Sequence, residues 1–210
     1  MKIEVNEYKK DPWPILGLTG GIACGKTTAA NFFKQKGIKI VDADKIAHAI
    51  LEPKNKIYQK VLNEFPSNIL DSNKQIDRRK LNELIFNDKK SREKLERILH
   101  PEILKEIDHQ IKDALRSNPK EKIVLVAPLL FETGLEKKCL KSLVISSTIQ
   151  NQMNRLKERD GFSENEAKIR IKSQMPLSQK EKKADWTIEN NQTKEQFIAD
   201  LESFYSTFWK

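Results

Sequence analysis

The 210-residue chain has only two cysteines, Cys24 and Cys139, too few for a disulfide framework. A reducing cytoplasm is therefore the expected compartment. No run of apolar residues approaches the roughly 20 needed to cross a bilayer, so no membrane partner is expected. Met1 to Trp13 lack the apolar centre of a secretion signal and read as a short polar extension. Internal repeats and low-complexity tracts are also missing, which sets aside solenoids and disordered arrays.

What is present suits a folded domain. Hydrophobic residues make up 38% and charged residues 33%, enough for a core under a well-solvated surface. The length fits one compact domain, 14–210, with room for an inserted lobe. Lys and Arg outnumber Asp and Glu by 39 to 30, a formal charge of +9. Such a surface could attract polyanions, either nucleic acid or a phosphate-rich small substrate. The plainer reading is lysines spread along helices for solubility, because Lys89–Arg97 and Lys180–Lys183 are short or mix both signs. No nucleic-acid partner is expected, since no recognition module is visible.

Short apolar runs alternate with helical periodicity. Ile15–Thr19, Ile38–Val41, Ile123–Ala127, Leu143–Ser147 and Trp186–Ile188 read as buried strands. Lys26–Lys36, closed by Gly37, reads as a helix, as do Lys45–Leu51, Thr148–Arg159, Ser163–Ser173 and Thr193–Phe208. Ser163 and Glu166 have capping-box spacing. Residues 55–117 show little strand character and offer helices at Ile57–Phe65, Arg78–Phe86 and Ser91–Leu115, the last bent at Pro101. The pattern predicts an α/β fold: a five-stranded parallel sheet covered on both faces, with core 14–54 and 118–210 and a helical lobe at 55–117.

Gly20-Gly21-Ile22-Ala23-Cys24-Gly25-Lys26-Thr27 carries the strongest chemical signal. Glycines let successive backbone N–H groups turn inward into an anion cradle, and the following helix points its positive end the same way. Lys26 can bridge β- and γ-phosphate oxygens, while the Thr27 hydroxyl can ligate Mg²⁺. A strand before and a helix after make this a nucleotide loop of the P-loop NTPase type. Cys24, at a helix start among inward-facing amides, reads either as a thiol of lowered pKa that reacts readily or as a small side chain filling the outer side of the loop.

Two further absences narrow the enzyme class. Guanine-specific switches carry Asn-Lys-x-Asp, and the nearest approach, Asn73-Lys74-Gln75-Ile76, lacks the aspartate. Motor-type ATPases usually end an apolar strand in Asp, whereas Ile123–Val126 runs into Ala127-Pro128. Both point toward small-molecule kinases. Val41-Asp42-Ala43-Asp44 then puts two acids at the C-terminal end of a strand, where open α/β sheets bind ligands. Either could orient an acceptor hydroxyl and take its proton, or Asp44 could merely cap the helix that begins beside it.

The ordered motifs resemble the dephospho-coenzyme A kinase family over nearly the whole chain. Leu18-Thr19-Gly20-Gly21-Ile22 leads into Gly25-Lys26-Thr27-Thr28, then Val41-Asp42-Ala43-Asp44. Ile76-Asp77-Arg78-Arg79-Lys80-Leu81, Leu99-His100-Pro101 and Pro128-Leu129-Leu130-Phe131-Glu132 follow. Last come Arg155-Leu156, Arg159-Asp160-Gly161, Gln174-Met175-Pro176, Ala184-Asp185, Ile188 and Asn190. The resemblance implies transfer from ATP, with Mg²⁺, to the ribose 3′-hydroxyl of dephospho-coenzyme A, by a monomer or weak homo-oligomer. It makes Asp44 the base, Arg155 and Arg159 cations of a lid at about 150–176, and Asn190 a neighbour of the adenine. The nucleotide is held by Gly20 through Thr28. Arg79 and His100 are substrate contacts or structural groups, and 55–117 becomes the lobe for the coenzyme A moiety. Two departures stand out: Ser146-Ser147 where the family commonly has an Asp, and Gln192 where it tends to have Gly. A nucleoside monophosphate kinase shares the same parts and is the nearest alternative, ahead of a nucleic-acid-binding ATPase.

Overall fold

The computed structural model describes residues 13–209, the side chain of Phe86 excepted. The polar extension expected at Met1 to Trp13 lies outside them except for Trp13, which opens the first strand. Strands β1 (Trp13–Gly20), β2 (Lys39–Asp42), β3 (Ile123–Val126), β4 (Cys139–Ser146) and β5 (Trp186–Glu189) form one parallel sheet of order β2-β3-β1-β4-β5. β1 lies between β3 and β4, with Leu18 opposite Val126 on one side and Leu143 on the other. Every residue from Ile15 to Gly20 is buried, as is all of β3, because helices rather than water face both sides of a parallel sheet.

Two compact units are present: residues 13–41 with 118–209, and residues 42–117. In the first, helices α1 (Lys26–Gln35) and α9 (Lys194–Phe208) cover one face of the sheet. Phe33, Phe197, Leu201 and Phe204 meet alternate strand residues Leu16, Leu18, Val124, Val126, Leu143 and Ile145 there. The stripe on α9 follows helical spacing, so one face turns wholly inward. Phe32, Phe33, Phe204, Phe208 and Trp209 add edge-on aromatic contacts that seal the C-terminal helix to α1. Gly37, at φ +80°, ends α1 in the left-handed turn expected of it.

The same unit holds α6 (Ile149–Asp160), α7 (Glu164–Lys172) and α8 (Leu177–Lys183). Thr148 caps α6, and Ser163 with Glu166 forms the reciprocal capping box on α7. Helix α8 has no counterpart in the sequence reading.

Residues 42–117 hold α2 (Ala43–Ile50), α3 (Lys56–Glu64), a 3-10 turn at Ser67–Ile69, α4 (Arg78–Asn87) and α5 (Lys89–Ser117). Its buried residues Ile46, Ile50, Ile57, Tyr58, Val61, Leu81, Leu95, Leu99, Ile107 and Ile111 lie on all four helices. Pro101 sits inside α5, which runs through it as a single helix. Among the described residues no helix is long and apolar enough to cross a membrane.

Candidate active site

The nucleotide loop leaves β1 through Gly20 and enters α1 through Gly25. Gly20 has φ +156°, and a methyl group there would come within 2.2 Å of the Ile145 carbonyl oxygen. Gly25 is the N-cap of α1 at φ +108°, with no side-chain cap on the helix amides behind it. The first amides of a helix lack partners within the helix, so this uncapped start directs donors and the positive end of the dipole at whatever the loop encloses. Thr27 is exposed in that first turn and Thr28 partly so. Ala23 also takes a left-handed conformation, φ +57°, which completes the loop's turn. Lys26 Nζ donates to Gly20 O at 3.0 Å and Gly21 O at 2.7 Å, so its ammonium lies along the loop itself.

Two distant segments hold this loop. Asn190, just after β5 and nearly buried, donates from Nδ2 to Cys24 O at 2.8 Å. Arg155, on α6, donates from Nη1 to Ala23 O at 3.2 Å and from Nη2 to Asn190 O at 2.8 Å. Ser147 Oγ donates to the same Asn190 carbonyl at 2.9 Å. Loop, α6 and the end of β5 thus share one hydrogen-bonded knot, with a guanidinium in its middle. Sequence reasoning named Arg155 and Asn190 separately; the structure joins them through one carbonyl. Ser147, one of the two serines at the end of β4 that depart from the family pattern, belongs to the knot. Arg159, one turn further along α6, instead makes a two-pronged ion pair with Asp160 at 2.9 and 2.7 Å on the surface.

Burial decides between the two readings of Cys24. The thiol is completely buried beneath the loop, and a methyl group on Gly21 would lie 2.9 Å from its sulfur. Burial raises its pKa, although the charges of Lys26, Arg155 and Lys180 pull the other way. Desolvation of the thiolate outweighs the cations and the helix start, so the lowered pKa is not found and the buried position fits the packing role. Burial and the nearby Glu136 carboxylate push the Cys139 thiol up to about 12.

Lys180 is the functional candidate that sequence reasoning passed over as part of a solubilising run. It is 0% exposed, whereas Lys182 and Lys183 beside it face solvent. Its Nζ meets Glu132 Oε1 at 2.8 Å and Pro128 O at 2.7 Å. One signal was available: Lys180 falls three residues after Leu177 and four before Ala184, the inward face of a short helix.

Within 42–117, Asp42 ends β2 and caps α2, its Oδ1 accepting from Asp44 N at 3.0 Å and Lys45 N at 3.2 Å. Capping therefore falls to Asp42, and Asp44 stands exposed in the first turn. The same arrangement recurs at α4, where Asp77 Oδ1 accepts from Arg79 N at 2.8 Å and Lys80 N at 3.2 Å and Arg79 is exposed. His100 lies half-buried in α5, immediately before Pro101.

The residue set also suits an ion carried in on a nucleotide. Among the described residues there is no cluster of three or more His, Cys, Asp or Glu able to hold a metal. A single hydroxyl beside a phosphate cradle is a common arrangement for Mg²⁺, which keeps most of its ligands as phosphate oxygens and water.

The family model for dephospho-CoA kinase matches residues 14–196. A dephospho-CoA kinase of Lactobacillus johnsonii is 46% identical over 89% of this chain and 92% of its own length. The solved dephospho-CoA kinase of Campylobacter jejuni superposes with a TM-score of 0.61 at 31% identity, over 92% of this chain and 96% of the other. The crystal structure of TT1252 from Thermus thermophilus reaches a TM-score of 0.77 at 28% identity, over 94% and 98%. By loop, sheet order and sequence alike, this chain belongs to the dephospho-CoA kinase family.

Proposed function

We propose that this chain transfers the terminal phosphoryl group of ATP to the ribose 3′-hydroxyl of dephospho-CoA, with residues 20–28 on the nucleotide, Asp44 on the hydroxyl and Arg155 on the transferring group. Dephospho-CoA kinase activity is the last step of coenzyme A synthesis, and ATP is the donor its kinase family implies.

The observation that carries the nucleotide half is the uncapped start of α1 behind a loop held at both Ala23 and Cys24. A cradle held before the nucleotide arrives loses little order on binding it, and its aligned N–H donors favour the charge that grows during transfer. Lys26 bridges β and γ oxygens once it exchanges its loop carbonyls for phosphate. The Thr27 hydroxyl would hold Mg²⁺, which supplies charge neutralisation across the β- and γ-phosphates. Arg155 already touches the loop at Ala23 O, so its cation lies beside the cradle and favours an anionic transition state.

Asp44 orients the sugar hydroxyl and accepts its proton; it stands exposed in the first turn of α2, whose N-cap is Asp42. Arg79 and His100 contact the acceptor. Helices α6 and α7 form the lid, which excludes water so that the sugar hydroxyl rather than water takes the phosphoryl group. Arg159 joins the nucleotide by leaving Asp160 as the lid closes, and Asn190 shapes the adenine side. The cytoplasm is the compartment where this chemistry is placed.

The test is turnover with Mg²⁺-ATP and dephospho-CoA beside AMP, UMP and CMP. Preferential turnover of dephospho-CoA is expected; preference for a nucleoside monophosphate would overturn the acceptor.

A further inference from the structure

We infer that the buried Lys180–Glu132 pair is a positioning device that fixes the return hinge of the lid against the nucleotide-loop side of the sheet, and so determines whether phosphoryl transfer goes to the acceptor or to water. This rests on the lid assigned above to α6 and α7.

The contacts form a continuous chain within one compact unit. Lys180 Nζ bonds Glu132 Oε1 at 2.8 Å, and that same oxygen accepts the Met175 N–H at 3.1 Å. Met175 lies between the end of α7 at Lys172 and the start of α8 at Leu177, the point where the lid rejoins the core. The second bond of Lys180, to Pro128 O at 2.7 Å, reaches the segment after β3. Thr19 Oγ1, one residue before the loop, donates to that same Pro128 carbonyl at 3.2 Å. Two shared acceptors therefore link the lid hinge to the residue preceding Gly20.

A buried ammonium is an expensive way to fill a core. Desolvation of a charge pair commonly cancels its attraction, and apolar residues of similar volume serve stability as well or better. What an apolar pair cannot do is accept an amide hydrogen bond from the hinge while donating one to a carbonyl beside the phosphate loop. The pair therefore contributes geometry at a hinge, where small displacements of a closing segment alter access of water and alignment of the acceptor. Neither residue reaches the reacting atoms; both act through the segments they hold.

The experiment compares the ratio of ADP formed to coenzyme A formed in Lys180→Met, Glu132→Gln, Glu132→Leu and the double variant Lys180→Met/Glu132→Leu, with wild type alongside. Both products come from the same active molecules, so the ratio is independent of the folded fraction. Glu132→Gln keeps an oxygen for Met175 and for Lys180, and should stay within about twofold of wild type. Lys180→Met and Glu132→Leu should raise ADP formed per coenzyme A by about tenfold. The double variant removes the unpaired charge and should recover thermal stability while keeping the raised ratio. A wild-type ratio in the double variant and both apolar single variants, with only the melting temperature changed, would overturn the inference and leave the kinase reading intact. Wild type that phosphorylates no dephospho-CoA would overturn both.

Discussion

The residues proposed for the nucleotide and those proposed for the acceptor are built in opposite ways. Around the loop, Arg155, Asn190 and Ser147 are each bonded to backbone carbonyls of other segments, and Gly20 and Gly25 leave no space for a methyl group. Asp44 and Arg79 instead stand exposed in the first turns of α2 and α4, each two residues after an aspartate that caps its helix. The group proposed for the first region is constant, a polyphosphate, and backbone amides in fixed positions suit such a group. The second presents side chains whose supporting backbone is held by someone else's carboxylate. On that proposal, stability and chemistry are fused in the loop and divided between neighbours in the helical unit.

The sharpest break between the two regions comes from Asp44→Asn. Loss of a general base costs about 10² to 10⁴ in rate, so kcat should fall by at least about 100-fold. The melting temperature should fall by no more than a few degrees, because the helix cap belongs to Asp42 and Asp44 is exposed. Asp44→Asn with near-normal turnover would remove Asp44 from the chemistry. Gly25→Ala makes the converse case: the new methyl would lie 2.4 Å from Asn190 Nδ2, at a φ of +108° that alanine resists. Nucleotide affinity, measured by Mg²⁺-ATP titration, should weaken by about tenfold or more together with a loss of stability of roughly 1–3 kcal/mol. Unchanged affinity would show that the loop is less tightly held than its contacts indicate. Asp42→Ala is smaller still: a lost cap costs about 1 kcal/mol, a fall of about 3 °C in a chain this size. Its kcat should remain within a few-fold of wild type; a drop matching that of Asp44→Asn would mean that both acids share the chemistry.

Sequence legibility followed the same division. The loop was readable because its chemistry needs glycines and Lys-Thr at fixed spacing between a strand and a helix, and the strands were readable because a sheet covered on both faces must be written as unbroken apolar runs. The short helix α8 was missed because its seven residues, Leu177–Lys183, include four of lysine or glutamate and only one large apolar side chain. Lys180 was hidden within it, since a charge in a basic run carries no mark of burial; its ion pair with Glu132, 48 positions away in sequence, and its bond to Pro128 O make burial tolerable. Cys24 failed in the other direction. Its local position left a low pKa open, but desolvation depends on the residues packed over it, which no local window contains. Arg155 and Asn190 were legible as members of a motif, while the carbonyl that joins them was not.

The smallest effect belongs to Asp185, at the junction of α8 and β5, where structure alone is at stake. Its carboxylate accepts from Ser142 N at 2.8 Å, Ser142 Oγ at 2.9 Å and Lys141 Nζ at 2.8 Å, tying the start of β5 to β4. Burial raises its pKa, but the bonds from Lys141 and Ser142 outweigh that and leave it below the usual carboxylate range. A carboxyl that is more acidic folded than unfolded contributes stability that is fully present above the unfolded value, near 3.9, and is lost as pH falls through the folded value. Asp185→Asn keeps one acceptor oxygen and loses the charge, so at pH 7 the variant should melt below wild type by an amount equivalent to less than about 1 kcal/mol, since the group is partly exposed. The gap should narrow as pH falls below about 4, because wild type then loses the ionised form that made the difference. A gap that stays constant across that window would mean the bonds to Ser142 and Lys141 do not depend on the charge, and kcat should be indifferent to the substitution throughout.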